Sequence, residues 1–239
     1  MNVLFSKSVR LLCWILLGLL PTAAYAQNPA VAPSASPGHG SKPAPSVSQP
    51  HYTEEQMQEI ISKVEDRIKA ATDVVFGRIQ KSESDIHLRF SYLRKPERLD
   101  PNTYASKGDI ASWRNSLEQL TAAQNNLDKL YANADVDLGN ALMQQRINPS
   151  IANQIKTELM TTFPWTTIRK KSELMRQFVG DHEELLNFYD KNWGTWKPGS
   201  EPGTATFSDA SLTTAFQSLK DKINATGGQI DDQYKLIVQ

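Results

Sequence analysis

The sequence predicts an all-α protein, an elongated antiparallel helical bundle with coiled-coil-like heptad packing that follows a disordered linker. Apolar residues recur at alternating spacings of three and four over segments of up to about 40 residues, the pattern of helices with one buried face. No segment alternates apolar and polar residues long enough to indicate a β-strand. Because each apolar stripe must be covered, the helices are expected to pack against one another lengthwise.

The amino-acid composition excludes several classes of protein. The 239 residues include 26 basic and 26 acidic side chains and are 39% hydrophobic. The formal net charge is zero, whereas nucleic-acid-binding proteins usually carry an excess of basic residues. We therefore expect no nucleic-acid partner. The hydrophobic content is too low for a polytopic membrane protein and too high for a chain that is disordered throughout.

Residues 1–26 have the three-part organisation of a secretory signal peptide. Lys7 and Arg10 give a positive start, an apolar run of ten residues follows, and Ala24-Tyr25-Ala26 forms a small-residue cleavage pattern. The run is shorter than the roughly 20 residues that span a bilayer. We therefore predict cleavage before Gln27, a periplasmic location with secretion as the second choice, and no stable membrane span in the mature chain.

The cysteine content supports a bacterial periplasm. Cys13, the only cysteine, lies at the start of the apolar run rather than after it, so lipidation is not expected. The mature chain then has no disulfide, thiol nucleophile or zinc–thiolate site. An exported domain of this kind depends on its core for stability, which fits a periplasmic protein better than a eukaryotic secreted one.

Residues 27–51 are predicted to be a disordered linker. They are rich in Ala, Pro, Ser and Gly, contain six of the 13 prolines, and have Lys42 as their only charged residue. Such a segment buries too little apolar surface to offset the entropy lost on ordering. The helical-bundle domain, residues 52–239, begins where the composition changes.

The first helix is predicted over residues 53–94. Thr53 and Gln56 have the spacing of a capping box at its start, and Pro96 cannot continue it. A loop over residues 96–105 follows. The apolar stripe of this first helix comprises Met57, Ile61, Val64, Ile68, Ala71, Val75, Ile79, Ile86, Phe90 and Leu93.

The second helix has a nearly strict heptad, with polar Gln124 in one position of the seam, the line along which the stripes of neighbouring helices meet. Asn148-Pro149 ends it and caps a short third helix, which stops at Pro164 and either packs across one end of the bundle or extends a neighbour. The apolar heptad residues of the second helix are Ile110, Trp113, Leu117, Leu120, Leu127, Tyr131, Ala134 and Leu138.

Two further helices follow. The fourth has His182 in its seam and ends near Trp193, where residues 194–206 form a loop rich in Gly and Pro. Ser208 is expected to cap the last helix and Gly227-Gly228 to interrupt it. The stripes of these two helices comprise Ile168, Met175, Phe178, Leu185 and Tyr189, then Leu212, Phe216, Leu219, Ile223, Ile230, Tyr234 and Ile237.

Motifs of catalysis and metal binding are absent from the sequence. It contains no Gly-rich phosphate loop, Gly-x-Ser-x-Gly or His-Glu-x-x-His. Glu83 and His87 have the spacing of two metal ligands on one helix face, but without a second pair we interpret them as exposed polar residues. In Asp181-His182-Glu183-Glu184 we expect both glutamates to face water. The sequence thus predicts no enzyme, no cofactor and no metal site.

Trp193 and Trp196 are the candidate binding surface. Two tryptophans beside a loop are suited to bind a sugar, a peptide or a lipid surface. The alternative, which we favour, is that they close the end of the bundle, because aromatic residues at helical spacing usually belong to the core. Since Gly194 and Pro198 turn the chain away from the helix, we expect Trp193 to be buried and Trp196 to be more exposed.

One resemblance bears on function. Leu120-Thr121-Ala122-Ala123-Gln124 is similar to the Leu-Thr-x-x-Gln motif of a family of periplasmic stress chaperones, which are exported, cysteine-poor helical proteins. Tyr52-Thr53-Glu54-Glu55-Gln56 differs from that motif in its first residue. The resemblance covers ten residues and implies chaperone activity as one alternative.

Taken together, these features predict an exported, non-enzymatic bundle that binds or scaffolds another envelope protein, or itself. The alternatives are a periplasmic holdase-type chaperone and a small-ligand or metal-binding bundle. A closed seam would favour the scaffold and an open apolar groove the chaperone. A deep cavity with converging polar groups would favour the ligand binder.

Overall fold

Five helices and one short β-hairpin make up the described part of the chain, residues 52–199 and 204–238, in this computed structural model. The prediction of an all-α helical bundle is confirmed. The signal peptide predicted over residues 1–26 and the linker predicted over residues 27–51 lie outside the described residues.

Helix α1 spans Glu54–Leu93, within one residue of the prediction at each end. Its capping box is formed: the Gln56 amide donates to the Thr53 hydroxyl at 3.3 Å, and the Thr53 amide donates to Gln56 Oε1 at 3.0 Å. The predicted loop contains two 3₁₀ turns, Pro96–Leu99 and Pro101–Thr103. Each turn begins with proline, whose missing N–H is not needed at a helix start.

The remaining helices are α2 (Lys107–Gln144), α3 (Pro149–Thr161), α4 (Trp165–Lys191) and α5 (Ala210–Val238). Helices α1 and α2, α2 and α4, and α4 and α5 pack as antiparallel neighbours, and α5 contacts α1 to close the bundle. An ion pair joins each of these neighbours: Arg78–Asp137, Arg114–Glu183, Lys222–Asp181 and Arg94–Asp231.

The short helix α3 extends α4. Both run antiparallel to α2, and Lys156 of α3 pairs with Asp135 of α2 at 3.1 Å. Pro164 separates the two helices because it cannot continue α3. Of the two predicted arrangements for this segment, extension of a neighbour is the one observed.

The predicted heptad seam is the centre of the core. Leu117, Leu120 and Leu127 are each 0% exposed, and Gln124 is buried among them. Where α1 crosses α4, the rings of Phe90 and Phe178 meet edge to face with 5.0 Å between centroids. The seam is therefore closed along its length.

The loop between α4 and α5 differs from the prediction because it contains a β-hairpin. Strand β1 (Trp196–Pro198) pairs antiparallel with β2 (Ala205–Phe207), with Trp196 opposite Phe207. Three residues are too few to show the alternation that identifies a strand in a sequence. The predicted cap was also wrong, since Asp209 rather than Ser208 accepts from the Ser211 amide, at 2.7 Å.

The break predicted at Gly227-Gly228 was wrong, because α5 continues through both glycines to Val238. Gly227 is buried where the Arg94 side chain crosses the helix. A Cβ atom at Gly227 would lie 2.9 Å from Arg94 Nε. The glycine thus gives space for the guanidinium that pairs with Asp231, at a helix-propensity cost of about 1 kcal/mol.

Substitution in the seam tests this packing. We expect Leu120→Ala to lower the free energy of unfolding by about 2–5 kcal/mol, because it removes buried methyl groups and leaves a cavity. Lys63→Ala should cost less than about 0.5 kcal/mol, since Lys63 is exposed and pairs only with Glu59 across one helix turn. Urea denaturation measures both; equal losses would contradict the seam assignment.

Candidate functional site

A charged pair lies in the mostly apolar core. The ammonium of Lys171 on α4 donates to both carboxylate oxygens of Glu83 on α1. Lys171 is 0% exposed and Glu83 is 8% exposed. The sequence-based interpretation of Glu83 as an exposed residue paired with His87 was therefore wrong. His87 itself is exposed.

Lys171, the last residue of the run Arg169-Lys170-Lys171, was not among the residues predicted to form a site. One signal was present in the sequence. Lys171 follows Ile168 by three positions and precedes Met175 by four, so it falls on the apolar stripe of α4. A charged residue on the buried face of a helix requires a partner inside the bundle.

Two tyrosines complete what we call the polar layer, namely Glu83, Lys171, Tyr131 and Tyr234. The Tyr131 hydroxyl on α2 donates to Glu83 Oε1 at 2.7 Å. The Lys171 ammonium lies 4.9 Å from the centroid of the Tyr234 ring on α5, a cation–π contact. Every long helix thus supplies one member of the layer.

The electrostatics of the layer follow from burial. Burial lowers the pKa of Lys171, and the adjacent Glu83 carboxylate offsets part of that effect. Burial also raises the pKa of Tyr131 and of Tyr234, and the negative charge of Glu83 raises both further. Both phenols therefore remain protonated donors at neutral pH.

The two carboxylate oxygens of Glu83 differ in their hydrogen-bond donors. Glu83 Oε1 accepts from Tyr131 and Lys171, whereas Oε2 accepts from Lys171 alone. A carboxylate oxygen has two lone pairs, so Oε2 retains one acceptor position. The buried Tyr234 hydroxyl lies beside the same carboxylate, and its hydrogen bonding with Glu83 contributes to the raised pKa of Tyr234.

A groove of about 470 Å³ opens over this side of the layer; we call it the α1–α5 groove. The His87 ring stands edge-on to the Tyr234 ring, with 4.8 Å between centroids. The groove is lined by Gln80, Glu83, Ser84, His87, Leu88, Tyr234 and Ile237.

A second groove of about 440 Å³ lies on the opposite side of the layer, between α2 and α4. Tyr131 lines it, so the layer extends from one face of the bundle to the other. Asp128 in this groove accepts from Gln124 at 2.8 Å, Ser172 at 2.9 Å and Arg176. Its carboxylate is already well satisfied by these donors.

The two tryptophans predicted as a binding surface lie at the far end of the bundle. Trp193 and Trp196 are both partly buried, with their rings perpendicular and 5.3 Å between centroids. The predicted contrast between a buried Trp193 and an exposed Trp196 is not observed. The hairpin folds Trp196 back over the bundle, 5.9 Å from the rings of both Tyr189 and Phe207.

His182 lies in the seam, as predicted, and is 0% exposed. Its Nδ1 is 3.0 Å from the Phe178 carbonyl oxygen. Burial lowers the pKa of His182 to about 4, and the carbonyl groups nearby oppose this only in part. Of the neighbouring glutamates, Glu184 faces water as predicted, whereas Glu183 is half-buried in an ion pair with Arg114.

Residues 52–199 and 204–238 contain no group of three or more side chains placed to hold a metal ion. Within those residues, no helix is both long and apolar enough to cross a membrane.

Comparison with protein families, curated proteins and solved structures finds no match to this chain.

The two tyrosines of the polar layer should differ in their effect on stability. We expect Tyr131→Phe to lower the free energy of unfolding by about 1.5–3 kcal/mol, because it removes a hydrogen bond to a buried charge. Tyr234→Phe is the comparison and should cost less, about 0.5–1.5 kcal/mol, because the Tyr234 hydroxyl meets the same carboxylate with poorer alignment. Urea denaturation compares them, and losses of equal size would contradict the assigned hydrogen bonds.

The buried histidine predicts a pH dependence of stability. His182 titrates near 6.5 when unfolded and about 4 when folded, so the unfolded state binds more protons between these values. Stability from this group is full above pH 6.5 and is lost as the pH falls towards 4. The loss between pH 7 and pH 4 should be about 3 kcal/mol greater in the native protein than in His182→Gln.

His87→Gln is the control for this experiment because His87 is exposed. It should retain the native pH dependence when the free energy of unfolding is measured in urea across the same range. A native dependence in His182→Gln would show that carboxylates alone cause the acid sensitivity.

Proposed function

We propose that this chain is an exported, non-enzymatic helical-bundle protein that binds another envelope protein through the first turns of α1. The observation that carries this proposal is the apolar stripe of α1, which continues beyond the part of the helix that the bundle buries.

Burial along α1 begins at Ile68. Before it, Met57, Ile61 and Val64 continue the stripe at helical spacing. All three are only half-buried, and Val64 is the one that packs against the core. The adjacent Ile60 is 45% exposed. An amphipathic helix whose stripe is left partly uncovered by its own bundle is suited to pair with a helix of another chain.

The closed seam favours this function over a holdase-type chaperone. A holdase needs an open apolar surface to capture unfolded chains. In the described residues the seam leucines are inaccessible, and most large apolar side chains that face water are far apart along the helices. Such scattered exposure is ordinary for a protein surface. These residues include Val74, Leu88, Val136, Met143 and Leu236.

Export is the second part of the proposal, and it rests on the charged start, apolar run and small-residue pattern of residues 1–26. We expect the protein purified from the cell envelope of its native host to begin at Gln27. N-terminal sequencing measures this directly. A chain that still begins at Met1 would contradict cleavage.

Site-specific crosslinking tests the binding surface. A photoreactive amino acid at Ile60 should form an adduct of one defined mass in the native host, because this position borders the uncovered stripe. The same amino acid at Ser62, which is exposed on the other side of the helix, is the matched control and should form none. Ile61→Glu should abolish the Ile60 adduct by placing a charge in the stripe.

Equal crosslinking at Ile60 and Ser62, or none at either, would contradict binding through this stripe. An adduct with twice the mass of the chain would identify a second copy as the partner.

A further inference from the structure

We propose that the loop between α1 and α2 carries a binding site for the phosphate group of a small molecule. The site, which we call the loop pocket, is lined by Lys95, Pro96, Glu97, Arg98 and Thr103. It lies at the opposite end of α1 from the surface in its first turns, so this proposal does not depend on the proposed function.

Arg98 is held in place by two aromatic rings. Its Cζ atom lies 4.4 Å from the centroid of the Tyr92 ring and 4.6 Å from the centroid of the Trp113 ring. The guanidinium also donates to the Tyr92 hydroxyl. A guanidinium fixed in this way loses little further freedom on binding, and its planar fork matches the oxygens of a phosphate. Arg98 is therefore preorganised for an anion.

The charge of Arg98 is not balanced within the fold. The side chain is half-buried, yet it forms no ion pair in the described part of the chain. Charged groups that are withdrawn from water are usually paired, because the lost hydration must be replaced. An anion bound from solution would supply the missing partner.

Lys95 supplies a second positive charge to the pocket. Its ammonium lies 5.6 Å from the centroid of the same Tyr92 ring, and among the described residues it too has no ion pair. A phosphate monoester carries a charge of about −1.5 to −2 at neutral pH, which matches the two cations, whereas a carboxylate carries a single charge. Arg98 would engage it with a fork and Lys95 with a point charge.

The carboxylates of the loop leave the pocket positive. Asp100 accepts from the Asn102 amide at 2.9 Å, and Asp109 accepts from the Ser106 amide at 2.8 Å, so both are used in capping turns. Glu97 lines the pocket but pairs with neither cation. It is the one lining residue whose charge opposes an anion.

The size of the loop pocket suits a small molecule. Its volume is about 570 Å³, within the range of roughly 300–1,000 Å³ that such sites have. Pro96 gives it apolar surface, and the Tyr92 residue that contacts both cations is 43% exposed. These groups can contact the part of the ligand that carries the phosphate.

A pair of aromatic anions tests the site. The purified protein is titrated at low, constant ionic strength with phenyl phosphate and with benzoate, and Kd is measured for each by isothermal titration calorimetry. We expect one site that binds phenyl phosphate at least about fivefold more tightly, because only the phosphate has a charge for each cation. Added salt should weaken this binding, since the charges meet near the surface.

Three substitutions of exposed side chains locate the site. Lys95→Gln removes one of the two cations and should weaken phenyl phosphate at least about threefold. Glu97→Gln removes the opposing charge and should tighten it at least about twofold. Lys81→Gln is the matched control, because Lys81 is an exposed lysine of α1 that does not line the pocket. Its Kd should stay within about 1.5-fold of the native value, as expected for a screened, distant charge.

Arg98→Lys separates the fork from the charge. The substitution keeps a cation at this position but removes the planar group, so phenyl phosphate should bind at least about fivefold more weakly. Circular dichroism checks that each variant is folded.

Three results would overturn the proposal. These are the absence of saturable binding of phenyl phosphate, equal Kd values for phenyl phosphate and benzoate, and equal effects of Lys95→Gln and Lys81→Gln. The last of these would indicate nonspecific attraction to the charge of the whole protein.

Discussion

The buried ion pair between Lys171 and Glu83 is the constraint on which the arrangement of the helices depends. Removing two charges from water costs several kcal/mol per ion, and only close pairing with additional hydrogen bonds offsets that cost. Breaking such a pair costs about 3–5 kcal/mol because it leaves a charge uncompensated in the core. A shift of α1 against α4 by one turn would do this, so the pair specifies a single register.

The pair also connects the whole bundle. Tyr131 brings α2 to the same carboxylate, and Tyr234 brings α5 over the ammonium. Heptad stripes alone permit several alignments of the same helices, because each leucine is equivalent to the next one along the seam. A polar contact shared by four helices removes that degeneracy. The apolar seam supplies the stability of the fold, and the polar layer supplies its alignment.

The same layer brings polar groups of the core to the surface grooves at this level of the bundle. Glu83 and Tyr234 line the groove on one side of the layer, and Tyr131 lines the groove on the other side. The Trp193 and Trp196 end of the bundle differs, because its aromatic rings pack mainly on one another and close the fold. Its two tryptophans are partly buried within that aromatic cluster.

The sequence by itself determined the helices, the capping of α1 and α3, and the leucines of the seam. These features depend on local spacing: a stripe with the period of a helix, a capping pair three residues apart, and prolines that end a turn. The spacing of Lys171 from Ile168 and Met175 in the sequence also places it on the apolar stripe of α4. Only the tertiary structure decided that Lys171 forms a buried ion pair, because its partner Glu83 lies 88 residues away in the chain.

The same reason accounts for the other differences. Gly227 suggested a helix break, whereas α5 is continuous and the Arg94 side chain occupies the space beside the glycine. Trp196 was expected to be more exposed than Trp193. A hairpin too short to be recognised in the sequence folds Trp196 onto the bundle. Local periodicity specifies which faces are buried, whereas the contacts between distant segments decide what each face is buried against.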